Sequence, residues 1–142
     1  MTKSDYELGP IRPPSEAFSL LLRVTRNCPW NRCRFCNAYK GQRFELRAVE
    51  EVQADILAMK QVYDSIIAIA RRAGVGDGHR EIMASLTGQT LDGAERNVAL
   101  WLHGDGNTAF LQDADSLIMP TDQLEKIIWF FKDTFPSIDR IT

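Results

Sequence analysis

The chain has 142 residues, of which 44% are hydrophobic and 25% are charged. A chain of this length and composition is expected to form one domain with a real core, since it buries roughly 70% of the surface that it exposes when unfolded. No apolar run approaches the roughly 18 residues of a membrane-spanning helix. Residues 1–10 lack the apolar block of a secretory signal, and the net charge of −2 indicates neither a nucleic-acid nor a membrane partner. The expected compartment is therefore the cytoplasm.

The first predicted elements are an arm, a strand and a loop. Residues 1–17 are polar and contain three prolines, which predicts an extended N-terminal arm. The apolar, partly β-branched run Phe18–Thr25 predicts a strand. It leads directly into the loop Asn27–Cys36, which contains all three cysteines of the chain.

The middle of the chain is predicted to be helical. From about Ala48 to Ala70, apolar residues recur at steps of three and four, and Gly74 ends the helix. The glycine-rich segment that follows contains one short predicted helix at His79–Leu86. A further helix is predicted at Ala94–His103.

The last third predicts a second strand, a helix and the beginning of a third strand. A turn at Gly104–Asn107 precedes the strand Thr108–Leu111, and a polar bend at Gln112–Ser116 follows it. Thr121 is the predicted N-cap of the next helix, and Ile138–Thr142 begins as a strand. Alternating strands and helices predict an α/β fold with parallel strands, whose sites lie at the carboxyl ends of the strands. The loops after the first two strands are therefore expected to lie together.

The cysteines are spaced Cys28-x4-Cys33-x2-Cys36. Thiolates are the ligands that suit iron–sulfur clusters and zinc. Three cysteines on one short loop suit three corners of a cubane cluster and leave the fourth iron open to a small molecule. A plant-type ferredoxin uses the same spacing but needs a fourth cysteine downstream, and this chain has none.

Two alternatives to an iron–sulfur cluster remain open on spacing alone. A structural zinc site needs four ligands, and His79 or His103 would have to supply the fourth, although neither follows the cysteines at a short, regular spacing. The other alternative is three thiols without metal. Polar residues between the cysteines, such as Asn31, Arg32 and Arg34, argue against three core thiols.

Residues 11–44, IRPPSEAFSLLLRVTRNCPWNRCRFCNAYKGQRF, resemble the radical S-adenosylmethionine superfamily. They resemble in particular a bacterial and archaeal branch that has an IRPPSEA arm, a strand and a CxxxxCxFC loop. The resemblance continues more weakly over residues 109–127, AFLQDADSLIMPTDQLEKI, so the two similar stretches extend from residue 11 to residue 127. The commonest spacing in the superfamily is CxxxCxxC, from which this loop departs by one residue.

The resemblance implies a mechanism. Cys28, Cys33 and Cys36 would hold a 4Fe–4S cluster whose open iron is chelated by the amino and carboxylate groups of S-adenosylmethionine. With an electron from a donor such as flavodoxin or ferredoxin, S-adenosylmethionine would be cleaved to methionine and a 5′-deoxyadenosyl radical. The radical would abstract hydrogen from a substrate that the sequence does not identify.

The resemblance also implies two further contacts with the cofactor. Phe35, just before the last cysteine, would pack on the adenine; the alternative is a side chain that anchors the loop in the core. Asp113 and Asp115, after the second strand, would accept hydrogen bonds from an ammonium group, although the glycines usual in that motif are missing. Their alternative is a solvated bend in which Asp115 or Ser116 bonds the local backbone.

The fold implied by the resemblance is a partial, TIM-like (β/α) barrel of parallel strands, of which residues 18–142 would be an incomplete N-terminal part. Two strands and the beginning of a third do not close a barrel. We therefore expect an N-terminal fragment, weakly active or inactive alone, whose helix at Ile127–Phe135 lacks much of the surface that it should cover.

Basic residues are concentrated around the cysteines, with only Glu45 opposing them in the sequence. We expect most of them to be solvated and one or two to lie near the site, while an RNA or phosphorylated substrate remains an alternative. The basic residues are Arg23, Arg26, Arg32, Arg34, Lys40, Arg43 and Arg47.

Overall fold

The computed structural model describes residues 5–76, 78–86 and 88–142, which form an α/β fold. The strands are β1 (Leu20–Arg23), β2 (Thr25–Arg26), β3 (Glu45–Leu46), β4 (Thr108–Gln112) and β5 (Arg140–Ile141). The helices are α1 (Val49–Arg72), α2 (His79–Ser85), α3 (Gly93–His103) and α4 (Thr121–Thr134), with 3-10 turns at Pro14–Glu16 and Ser116–Ile118.

The main sheet has three parallel strands in the order β1-β4-β5. Leu20 lies opposite Ala109, and Arg23, the last residue of β1, lies opposite Gln112, the last residue of β4. Both strands therefore end at the same edge of the sheet, as the sequence predicted, and the loops that follow them are neighbours.

A second, antiparallel sheet closes the loop that contains the cysteines. Thr25 of β2 pairs with Leu46 of β3, and Arg26 pairs with Glu45. The sequence analysis did not predict β3, because two residues carry no period that would distinguish them from a loop. Because Arg26 and Glu45 are paired, the two ends of the loop formed by residues 27–44 lie side by side.

The core lies between the sheet and the helices. The apolar face of α1 is buried along the helix and includes Val52, Ile56 and Met59. Helix α4 packs against α1. Ile127 and Phe131 of α4 are completely buried. The expectation that the helix at Ile127–Phe135 would lack much of the surface that it should cover is therefore wrong, because α1 supplies that surface.

Several predicted boundaries differ from the structure: β1 ends before Thr25, β4 includes Gln112, and β5 is shorter than Ile138–Thr142. The physical reason is clear at the start of β1 and at α4. Phe18 lies outside β1 and is 45% exposed, because the backbone N–H of Ser19 still donates to the carbonyl of Glu16 and the chain is completing a turn there. Thr121 is the first residue of α4 and not its N-cap; the cap is Pro120, whose carbonyl accepts from the N–H of Leu124.

The outer edge of β1 is closed by one buried side chain, Asn97 of α3. Its Oδ1 accepts from the backbone N–H of Leu21 at 3.1 Å and from the hydroxyl of Tyr6 at 2.9 Å. Its Nδ2 donates to the carbonyl of Ser19 at 3.1 Å. The arm, the edge strand and α3 are thus joined at a single amide.

Within the described residues, no helix is both long enough and apolar enough to cross a bilayer.

Candidate metal centre

The cysteine loop, which we define as residues 27–44, lies between β2 and β3. Its three cysteines are unpaired and partly exposed. The loop begins with Asn27 at φ 69°, and Asn31 follows at φ 47°; asparagine is one of the few residues that adopt this left-handed conformation readily. The loop contains no carboxylate. It contains four basic side chains, all exposed: Arg32, Arg34, Lys40 and Arg43.

Backbone N–H groups donate to two of the three sulfurs. The N–H of Asn31 lies 3.4 Å from Cys28 Sγ, and the N–H of Tyr39 lies 3.5 Å from Cys36 Sγ. The pKa of Cys36 is lowered, chiefly by the hydrogen bond from Tyr39 and then by that from Ala38. These donors favour the thiolate, which is the form that binds metals.

Across the described parts of the chain, no three or more His, Cys, Asp or Glu side chains are grouped to hold one metal ion. A zinc site needs its ligands within about 2.0–2.3 Å of a single ion, so the thiols as placed do not form one. A cubane cluster binds each thiolate to a different iron, so its ligands stand farther apart. The loop brings to such a cluster three thiols, backbone N–H donors to two of the sulfurs and nearby cations.

His103, one candidate for a fourth zinc ligand, lies elsewhere. It is the last residue of α3, which leads into the start of β4, whereas the cysteine loop lies at the carboxyl edge of the sheet. Its ring packs on Phe18, with the ring centroids 5.7 Å apart. The side chain of His79, the other candidate, is outside the described part of the structure.

The carboxylate of Asp113 connects the first residue of the cysteine loop and Tyr39 to the sheet, and its side chain is fully buried. Oδ2 accepts from Arg23 Nε at 2.8 Å and from the backbone N–H of Asn27 at 2.6 Å. Oδ1 accepts from the hydroxyl of Tyr39 at 3.1 Å. Burial, and then the charge of Asp113, raises the pKa of Tyr39, so this phenol remains a donor at neutral pH.

The N-terminal arm lies across the ends of β1 and β4. The N–H of Gly9 donates to Gln112 Oε1 at 2.8 Å, and Gln112 Nε2 donates to the carbonyl of Ile11 at 2.9 Å. A Cβ atom at Gly9 would collide with Oδ1 of Asp113. The sequence analysis predicted an extended arm but not this attachment beside the candidate site.

Three of the seven basic residues near the cysteines form buried or half-buried ion pairs. Glu7 accepts from Arg23 Nη1 at 2.8 Å and from Arg26 Nη2 at 2.7 Å. Arg47, which is 2% exposed, pairs with Asp55 at 2.7 Å. These three arginines hold the arm, β1 and α1 together, while the exposed cations of the cysteine loop remain in solvent.

The charge on Glu7 predicts a change in acid stability. Its pKa lies below the ordinary 4.5, mainly because Arg26 donates to the carboxylate. The stabilisation is fully present above pH 4.5 and is lost as pH falls through the lowered pKa. We expect the free energy of unfolding of Glu7→Gln to be lower than that of the wild type by on the order of 1 kcal/mol at pH 6, and the difference to disappear on acidification.

Urea denaturation at a series of pH values measures this difference. Glu50→Gln, an exposed carboxylate in the first turn of α1, is the matched control and should follow the wild type. A Glu7→Gln curve parallel to that of the wild type at every pH would contradict the assignment.

The remaining predicted site residues are exposed at the same edge of the sheet. Phe35 is 89% exposed, so it does not anchor the loop in the core. Asp115 is exposed, and its carboxylate accepts from the N–H of Leu117 at 3.1 Å. This is the hydrogen bond to the local backbone that a solvated bend would contain. The structure therefore separates Asp113, which is buried, from Asp115, which faces solvent.

Comparisons with protein-family models, with curated proteins and with solved structures found no match to this chain.

Proposed function

We propose that this chain is a radical S-adenosylmethionine protein in which Cys28, Cys33 and Cys36 hold a 4Fe–4S cluster. The observation that carries the proposal is a loop with three thiols and no carboxylate, fixed at the carboxyl edge of a parallel sheet by Asp113. The bound cluster would supply the electron that cleaves S-adenosylmethionine to the radical that abstracts hydrogen from a substrate.

The other site residues have distinct proposed roles. The exposed ring of Phe35 lies one residue before Cys36 and is available to pack on the adenine. The exposed carboxylate of Asp115 is available to an ammonium group. Asp113 already accepts from Arg23, Asn27 and Tyr39, so its proposed contribution is to hold the loop.

The positive charge on the surface of the cysteine loop supports the proposal that an electron-donor protein binds there. The four exposed cations contribute +4, so the rest of the chain must contribute −6 to give the net charge of −2. An acidic donor such as a flavodoxin or a ferredoxin would be steered toward the positive loop by this asymmetry. Both donors belong to the cytoplasm, which is the compartment that we propose.

We also propose that the three parallel strands are part of a TIM-like barrel. The strands are adjacent in the order in which they follow along the chain, as successive barrel strands are. Because three strands form an open sheet, we expect this chain alone to turn over S-adenosylmethionine poorly.

Anaerobic reconstitution with iron and sulfide tests the cluster assignment. We expect a brown protein with about four irons per chain. Stoichiometric zinc in the purified protein, together with no uptake of iron, would establish the alternative of a zinc-stabilised binding module without catalysis.

The same reconstituted sample tests the barrel proposal. Few turnovers to 5′-deoxyadenosine are expected. Sustained production by a monomer would overturn the expectation that the open sheet limits activity.

A further inference from the structure

We infer that Asp113 and Tyr39 are positioning residues that aim a backbone N–H at the sulfur of Cys36. This inference rests on the proposed cluster. It adds a hydrogen-bond arrangement that affects the rate at which the cluster loses iron and the reduction potential of the cluster. The two residues are 74 positions apart, yet the hydroxyl of Tyr39 donates to Oδ1 of Asp113 at 3.1 Å.

Tyr39 is held at both ends. Its ring is buried, and its hydroxyl is fixed by Asp113. Its backbone N–H donates to Cys36 Sγ at 3.5 Å, and its carbonyl accepts from the N–H of Gln42 at 2.9 Å. Because the side chain is fixed in the domain, the main chain of Tyr39 has little freedom to turn the N–H away from the sulfur.

Asp113 is held by the sheet as well as by the first residue of the loop that it anchors. It follows the last residue of β4 at φ 78°, a left-handed conformation. Arg23, at the end of the neighbouring strand, fixes Oδ2 through Nε and Nη2, each at 2.8 Å. The carboxylate therefore offers Oδ1 to Tyr39 from a position that the strand register determines. A hydrogen bond to such a charged acceptor is stronger than one between neutral groups.

The bond from Tyr39 to sulfur has two consequences for a bound cluster. It draws charge from the thiolate, which stabilises the reduced cluster and raises its reduction potential. It also fixes the position of the sulfur, which slows the loss of iron. Removing the hydroxyl of Tyr39, or the charge of Asp113, should therefore lower the potential and loosen the iron without removing any ligand.

Two variants and a control test this inference. Tyr39→Phe removes only the hydroxyl, and Asp113→Asn keeps the shape of the side chain but replaces one acceptor oxygen with a donor. Tyr63→Phe is the control, because the Tyr63 ring packs against Trp101 and Phe135 in the core.

The first measurement uses the metal-free chain. We expect amide hydrogen exchange of residues 28–44 to be about ten- to a hundredfold faster in both variants than in the wild type, as the loss of one hydrogen bond to a charged group predicts. Exchange in α4 should not change. Equal acceleration in α4 would show a general loss of stability and would overturn the assignment of a local anchor.

The second measurement uses the reconstituted protein. We expect release of iron to a chelator to be about tenfold faster in both variants, the lower end of what outer-shell partners contribute to metal binding, and the reduction potential to fall. Release and potential equal to those of Tyr63→Phe would overturn the inference while the proposed function stands. A wild type that takes up no iron would overturn the proposed function and the cluster-tuning role with it, and exchange in the metal-free chain would still decide whether Asp113 and Tyr39 hold the loop.

Discussion

Replacing Cys28, Cys33 or Cys36 with alanine is expected to abolish binding of the cluster. The chain contains three cysteines and therefore no spare thiol, and two thiolates would leave two irons of a cubane without a protein ligand. We expect the iron content to fall from about four per chain to nearly none. Iron and sulfide analysis and the visible absorbance of each reconstituted variant measure the effect.

The fold should survive these substitutions, because all three side chains are partly exposed and none belongs to the buried core. Far-ultraviolet circular dichroism and thermal unfolding of the metal-free variants check this. Asn37→Ala, an exposed change in the same loop, is the matched control and should load iron normally. Full iron content in any single cysteine variant would show that this cysteine is not a ligand.

Local periodicity was sufficient to predict the elements that form the core. The apolar spacing of Val52, Ile56 and Met59 predicted α1, and all three side chains are buried. Alternation of strands and helices also predicted that the loops after β1 and β4 would meet, and Asp113 contacts Asn27 there. These features follow from neighbours in the sequence and from the general geometry of parallel sheets.

The anchoring of the site could not be predicted in this way, because it depends on pairs that lie far apart in the chain. Tyr6 meets Asn97 at a separation of 91 residues, and Gly9 meets Gln112 at a separation of 103. No period relates such residues. Tyr6 and Leu8 in a largely polar arm were the available signal that the arm packs against the domain.

Asp113 shows why the chemistry of a residue does not determine its orientation. The resemblance implied that this carboxylate accepts hydrogen bonds from an ammonium group. The strand register brings Arg23 beside it, and the carboxylate turns inward to that cation. The basic residues Arg23 and Arg47 likewise turn to carboxylates that are distant in the sequence. Arg23 pairs with Glu7, and Arg47 pairs with Asp55.

Replacing Asn97 with alanine is expected to be strongly destabilising although the side chain lies outside the apolar core. Asn97 is 4% exposed and pairs with the Leu21 N–H and the Ser19 carbonyl, whereas the Tyr6 hydroxyl that it also contacts keeps the Ala94 carbonyl as an acceptor. Each buried group left without a partner costs about 1–3 kcal/mol. We expect the free energy of unfolding to fall by about 4 kcal/mol and the midpoint of thermal unfolding to fall by roughly 10–15 °C.

The damage should be concentrated at β1, because Asn97 is the side chain that closes the edge of this strand, and β1 leads into the cysteine loop. Asn107→Ala is the matched control, since Asn107 contributes its backbone carbonyl, which accepts from the N–H of Asp139 at 2.9 Å. Chemical denaturation of both variants measures the difference. An Asn97→Ala chain within about 1 kcal/mol of the wild type would show that water replaces the amide and that the edge of β1 does not depend on it.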